Sequence, residues 1–319
     1  PDIAKQAGER PPKKTDTTSA SYTVFRIITY PNVCSIGCHF CSFKCTKEDS
    51  KAYVLSVDEI LQLIEDAVSK GSDQVFFQGG VNPELPLSYY LDVLSAIKEK
   101  FGFHIRGFSP VELKQIALAN GMETSELIQQ FHQAGLDSVP GAGAEILSER
   151  VRKILSPEKC TTQEWVDIMK ECHRQGLKGS ANIVVGSVET NEEIIEHLEH
   201  VRNIQDETGG FNAFIPWTFQ PQTKDFPRKK VLHHDYLKLL GLCRLFLDNI
   251  PNIEVSVMVL GKEIGKLALH MGANDISSPV LAEKVLRSFG VSSEQEARDL
   301  IREAGFTPKR RDFDYKIKA

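Results

Sequence analysis

"YTVFRIITY" (residues 22–30) runs without a break into "PNVCSIGCHFCSFKC" (31–45): a β-type run followed at once by Cys34, Cys38, Cys41 and Cys45. The chain has seven cysteines, an odd number, and these four lie too close together for an ordinary disulfide framework in 319 residues. Clustered thiols of this kind indicate metal binding in a reducing compartment, so the expected location is cytoplasmic. Structural zinc usually draws its ligands from two separated knuckles, because tetrahedral closure is difficult from one tight loop. The Cys34-x3-Cys38-x2-Cys41 spacing can wrap a larger object, and three thiolates on a [4Fe–4S] cube leave one iron open to a small chelator. Free cysteine is also a common buried hydrophobe, but three at this spacing, with Phe40 before the third, argue for ligation. Cys45 reads as a bystander, and zinc held by all four thiols remains the alternative.

Outward from this loop the chain alternates short β-type runs with helical patterns, the mark of parallel βα units. The runs after the first are "QVFFQ" (74–78), "FHIRGFS" (103–109), "LDSVPG" (136–141), "KGSANIVVG" (178–186), "FNAFIPWTF" (211–219), "NIEVSVMV" (252–259) and "ANDIS" (273–277). Capping boxes Ser56/Glu59, Thr161/Glu164 and Thr190/Glu193 open intervening helices. Eight such units predict an α/β protein, a (β/α)8 TIM-type barrel over residues 21–319, with an open doubly wound sheet as the second candidate. Extra C-terminal helices are expected over Leu281–Phe289 and Ser293–Ala304, and the polar residues 1–20 read as a flexible N-terminal arm. Barrel chemistry belongs where strands hand over to helices, which is where the cysteine loop falls.

Net charge is −5 with both signs interspersed, which speaks against nucleic acid and anionic membrane surfaces as partners. No apolar run approaches the ~18 residues of a membrane span.

Cys34, Cys38 and Cys41, with Phe40, resemble the CxxxCxΦC motif of the radical S-adenosylmethionine (SAM) enzymes. The resemblance implies a [4Fe–4S] cluster on these three thiolates and SAM chelated to the open iron, where one electron breaks a C–S bond. Gly79–Gly80 resembles the superfamily's Gly-Gly motif, which meets the methionyl amine. Asn182-x-Val184-x-Gly186-x-x-Glu189 is similar to its GxIxGxxE motif, which holds the adenine. Glu145 sits where related enzymes place a polar side chain on the SAM ribose. Gln78 and Ser109, at strand ends, join Phe40 as further cofactor-binding candidates.

Longer stretches, among them "QGGVNPELPLSYY", "SVPGAGAEIL", "VRKILSPEKCTTQEWVDIMKECH" and "IREAGFTPKRRD", resemble the menaquinone/deazaflavin group of these enzymes. Within it, "KCTTQEW" and "FIPWTFQP" are most similar to the futalosine cyclases. That implies hydrogen abstraction from the ribose of dehypoxanthine futalosine, attack of the carbon radical on the benzoate ring, and an electron donor such as flavodoxin or ferredoxin. The alternatives are an aminofutalosine synthase, which adds the SAM radical to an enol ether, and a non-redox zinc-stabilised ligand-binding barrel. His104, Arg106, Ser187 and Trp217 are the substrate-binding candidates. Asp275, expected at the end of the eighth strand, and Glu112 are the catalytic ones. The group usually has a histidine where this chain has Ser187, a departure that bears on the substrate and leaves the cluster residues untouched.

Overall fold

A computed structural model describes residues 18–41, 45–220, 230–276, 280–281, 291 and 293–318. The strands are β1 (Ser19–Tyr22), β2 (Phe25–Thr29), β3 (Gln74–Gln78), β4 (His104–Gly107), β5 (Ser138–Val139), β6 (Lys178–Val185), β7 (Phe211–Thr218), β8 (Asn252–Val255), β9 (Asp275–Ile276), β10 (Val280–Leu281) and β11 (Thr307–Arg310). The helices are α1 (Val57–Ser69), α2 (Leu87–Phe101), α3 (Pro110–Ala119), α4 (Thr124–Ala134), α5 (Glu149–Leu155), α6 (Thr162–Arg174), α7 (Asn191–Thr208), α8 (His233–Phe246), α9 (Val257–Leu260), α10 (Lys262–His270) and α11 (Glu294–Glu303).

All ladders of the sheet are parallel, in the order β10-β2-β3-β4-β5-β6-β7-β8-β9-β1-β11. β9 pairs with β8 and β1, while β10 pairs with β2. Because β1 leads directly into β2, the sheet curls round on itself as the wall of the expected TIM-type barrel. Alternation explains the two sides of that wall. Ala181 and Ile183 on β6 are fully buried under the helices, whereas Asn182 and Val184 between them face inward and stay partly exposed. The capping boxes at Ser56, Thr161 and Thr190 form as their spacing predicts, each hydroxyl accepting from the backbone N–H three residues on. None of the described helices is long and apolar enough to cross a membrane.

At the chain's ends the structure adds to the sequence reading and in part departs from it. Ser19 and Ala20, assigned to the arm, belong to β1, where β11 pairs with them in register. The helix expected over Leu281–Phe289 lies outside the described residues except for Leu281, which is in β10. Beyond α11 the chain adds β11 and then folds under the barrel, a turn the sequence reading did not anticipate.

That last segment closes the amino-terminal end of the lumen. Phe313 donates its backbone N–H to Gln74 Oε1 at 2.6 Å and packs its ring against Phe25 and His104. The Arg106 guanidinium lies 5.4 Å from the Phe313 ring centre and donates to Ser180 Oγ. Arg311 bonds Asp275 at 2.6 and 2.8 Å and Glu254 at 2.8 Å, and the Tyr315 hydroxyl also donates to Glu254.

Three site assignments are corrected by this floor. Asp275 begins β9 instead of ending a strand, so it sits at the end opposite the cysteine loop. It is wholly buried, and its oxygens are taken by Arg311 and Ser21. Burial lifts its carboxyl to about 6, still below neutrality, and the Arg311 pair keeps it ionised. Arg106 and His104 do share a face, but that face is the floor, where His104 Nε2 meets Ser138 Oγ at 2.8 Å.

Candidate active site

At the carboxyl-terminal end the cysteine loop leaves β2 and is tied to its neighbours by backbone bonds. Ser35 N donates to Val81 O at 2.8 Å, Gly80 N to Pro31 O at 2.9 Å, and Cys34 N to Cys45 O at 3.0 Å. Gly80 has no alternative here, since a Cβ would stand 2.1 Å from Val33 O; at Gly79 it would meet Pro31 Cδ at 2.5 Å. The glycine pair therefore admits the cysteine loop against the end of β3. Cys34, Cys38 and Cys41 all keep partly exposed side chains, whereas Cys45 is buried and its thiol donates to Thr46 O.

Glu112 holds this corner from beneath. Its carboxylate accepts from Ser109 N (2.8 Å), Ser109 Oγ (2.7 Å) and Tyr30 Oη (3.2 Å), and Gly79 N–H also points to it. Burial raises its pKa, while those four donors oppose the rise. With its oxygens so engaged, Glu112 is a brace for the β3 turn and not a free base. Ser109 is the N-cap of α3, its hydroxyl spent in the same capping box. Both residues depart from the roles expected of them.

The α5–α6 connector, "SPEK" (156–159), straps the cysteine loop from the other side. Leu155 O accepts from His39 N at 2.9 Å, and Glu158 Oε2 from Gly37 N at 2.5 Å. Lys159 Nζ donates to Glu145 at 2.8 Å and lies 5.5 Å from the centre of the Phe40 ring. Ser156 Oγ is buried without a well-formed hydrogen bond, next to Cys38. Burial pushes the Cys38 thiol up, and Lys159 and Ser156 pull it back toward the thiolate. Arg152, buried on α5, fixes the loop after β5 through Gly143 O and Ala144 O. Glu145 itself adopts a left-handed φ of 41°, a conformation that costs a non-glycine residue of order 1–3 kcal/mol. Its carbonyl accepts from Val184 N at 2.9 Å, which brings two of the expected SAM contacts side by side.

Across the mouth, Glu189 closes the turn after β6 by accepting from Gly186 N, Ser187 N and Ser187 Oγ. The Ser187 hydroxyl is thus given to Glu189 and not turned to a substrate. Trp217 pairs in register with Val184 and shares its inward face. Gln78 ends β3 on the same face as Gln74, whose amide reaches the floor. Phe40 packs edge-on against Phe219, ring centres 5.5 Å apart.

Residues 28–201 match the family model of the radical SAM superfamily, and residues 208–319 match that of the CofH/MqnC C-terminal region. The chain belongs to the radical SAM superfamily, in its CofH/MqnC group. It is 40% identical to the cyclic dehypoxanthine futalosine synthase of Halalkalibacterium halodurans over 93% of this chain and 82% of that one. It is 36% identical to the 5-amino-6-(D-ribitylamino)uracil–L-tyrosine 4-hydroxyphenyl transferase of Archaeoglobus fulgidus, over 94% and 89%. The fold is also that of the hydrogenase maturase HydG from Carboxydothermus hydrogenoformans, with a TM-score of 0.77 at 16% identity, covering 98% of this chain and 72% of that chain.

Radical SAM enzymes carry a [4Fe–4S] cluster and SAM. The donor set here fits such a cluster: three partly exposed thiols on one loop, a glycine pair that clears the backbone behind them, and an unsatisfied hydroxyl beside one sulfur. Cys45 stands apart from this set, its thiol turned to Thr46 O.

The sequence reading missed Ser156, Glu158 and Lys159, which reach the cysteine loop from more than 115 positions away. A buried-lysine signal was present only as "EK" in a polar connector, which by itself reads as solvent-facing.

Proposed function

We propose that this radical SAM enzyme is a cyclase acting on dehypoxanthine futalosine. The observation that carries the reading is 40% identity to a cyclic dehypoxanthine futalosine synthase across both the cluster-bearing and the C-terminal halves. Cys34, Cys38 and Cys41 hold the cluster, and a one-electron donor such as flavodoxin or ferredoxin feeds it. The cluster and SAM together supply a carbon radical strong enough to take hydrogen from an unactivated C–H bond.

The protein's own task is then positioning and exclusion. Gly79–Gly80, Glu145 and Val184 seat SAM beside Phe40. Trp217, Val184 and Ile215 give the substrate apolar walls, and Phe313 with the Arg311 network stops the lumen from below, so that water and stray hydrogen donors are kept out. No activated nucleophile is required.

The tyrosine-using transferase is the second reading, favoured by 36% identity over nearly the whole chain. Anaerobically reconstituted, reduced enzyme is incubated with SAM and either dehypoxanthine futalosine or tyrosine plus 5-amino-6-(D-ribitylamino)uracil. Free 5′-deoxyadenosine with a cyclised product in the first mixture alone supports the cyclase. Product only in the second mixture replaces it with the transferase, and in a third mixture, of SAM with an enol-ether benzoate, an adenosyl adduct would point to an aminofutalosine synthase.

A further inference from the structure

Lys159 is a charged side chain in a place that penalises charge. It is 11% exposed, on the connector between α5 and α6, with Glu145 (14% exposed) at 2.8 Å. Its ammonium faces the ring of Phe40, and the backbone on either side of Cys38 is pinned to the same connector through Gly37 N and to the end of α5 through His39 N. The Glu145 carboxylate at 2.8 Å compensates the ammonium and keeps it charged despite its burial.

We propose that Lys159 is a positioning residue that tunes the cluster on the cysteine loop, raising its reduction potential, and that Glu145 is the counter-charge that moderates it. A cube carried by three thiolates gains one negative charge on reduction. A fixed cation over Phe40, which lies between Cys38 and Cys41 in the chain, stabilises the reduced form, and more strongly in a half-dry site than in water. Glu145 acts with the opposite sign through the same field. Because Lys159 is anchored at one end by Glu145 and along its length by the connector, its charge cannot drift away as a surface lysine's would.

This inference rests on Cys38 being a cluster ligand. It is tested on the full chain, reconstituted anaerobically and titrated with dithionite in the absence of SAM, following the reduced-cluster EPR signal and the iron content. Lys159→Met is expected to move the midpoint to more negative potential, Lys159→Arg to leave it near wild type, and Glu145→Gln to move it positive. The Lys159→Met/Glu145→Gln double variant should fall between the two single ones. A merely structural pair would shift both single variants in one direction, or neither, at full iron content, and either result overturns the proposal. Should Lys159→Met fail to hold iron, Glu145→Gln still decides: an unchanged or lowered midpoint sinks the idea. Wild-type protein that assembles no iron–sulfur chromophore would overturn the reading of the cysteine loop itself.

Discussion

Arg311 grips Asp275 through two hydrogen bonds of 2.6 and 2.8 Å, joining the last turn of the chain to a strand of the barrel wall. Both side chains are fully buried, and Glu254 shares the guanidinium at 2.8 Å. Removing one partner of such a cluster leaves uncompensated charge in a dry site. Arg311→Met is expected to lower unfolding free energy by about 3–5 kcal/mol, read from urea denaturation. Asp275→Asn should also destabilise but should retain turnover per loaded cluster. Abolished turnover in an otherwise stable Asp275→Asn protein would restore the catalytic role.

Gly80→Ala puts a methyl group 2.1 Å from Val33 O, and no flexible side chain is there to give way. The cysteine loop must lift from β3, so iron content after reconstitution should fall well below wild type. Gly209→Ala is the control: it has a left-handed φ of 61° and open space around its Cβ position. It should cost about 1 kcal/mol of stability without loss of iron.

Glu112→Gln separates a brace from a base. The amide can accept from fewer of Ser109 N, Ser109 Oγ, Tyr30 Oη and Gly79 N, and its NH2 faces donors. Stability should drop by about 1–3 kcal/mol in thermal or urea unfolding, with turnover per cluster largely kept.

Acid should destabilise the fold through two histidines, His197 buried and His173 half-buried. His197 accepts from Leu147 N at 3.0 Å, and burial lowers its pKa to about 3; burial lowers that of His173 to about 4. Both are depressed below the unfolded value, so the unfolded chain takes up the proton first. Their contribution is complete above the unfolded pKa near 6.5 and is lost as pH falls from there toward 4 and 3. At pH 5 each costs about 2 kcal/mol. Melting temperature between pH 7 and 5 should fall steeply in wild type. In His197→Gln, whatever its stability at pH 7, the fall should be shallower.

Much of the molecule was legible from local order. Ligands spaced within eight residues, the β-type runs and the capping boxes are relations between near neighbours, and those survive any global arrangement. The Gly79–Gly80 pair could be found in the same way, although its clearance for Val33 O could not. Lys159 was illegible because an "EK" pair in a polar connector looks solvated until α5 and α6 lay it on the cysteine loop. Asp275 was misplaced by a strand boundary: reading "ANDIS" as a finished strand put its carboxylate at the mouth, whereas β9 starts at Asp275.

By itself, then, the sequence determined a parallel βα barrel with three thiols on the loop after its first strand, because backbone periodicity and ligand spacing are properties of contiguous residues. Only the tertiary structure decided which charges serve which end of that barrel. Asp275, Arg106 and Glu254 are claimed by a C-terminal tail that returns beneath the sheet, and Lys159 and Glu145 are brought together at the mouth. Pairing of buried charges depends on where distant segments cross and on how much water is left between them, and neither quantity is written in any short stretch of chain.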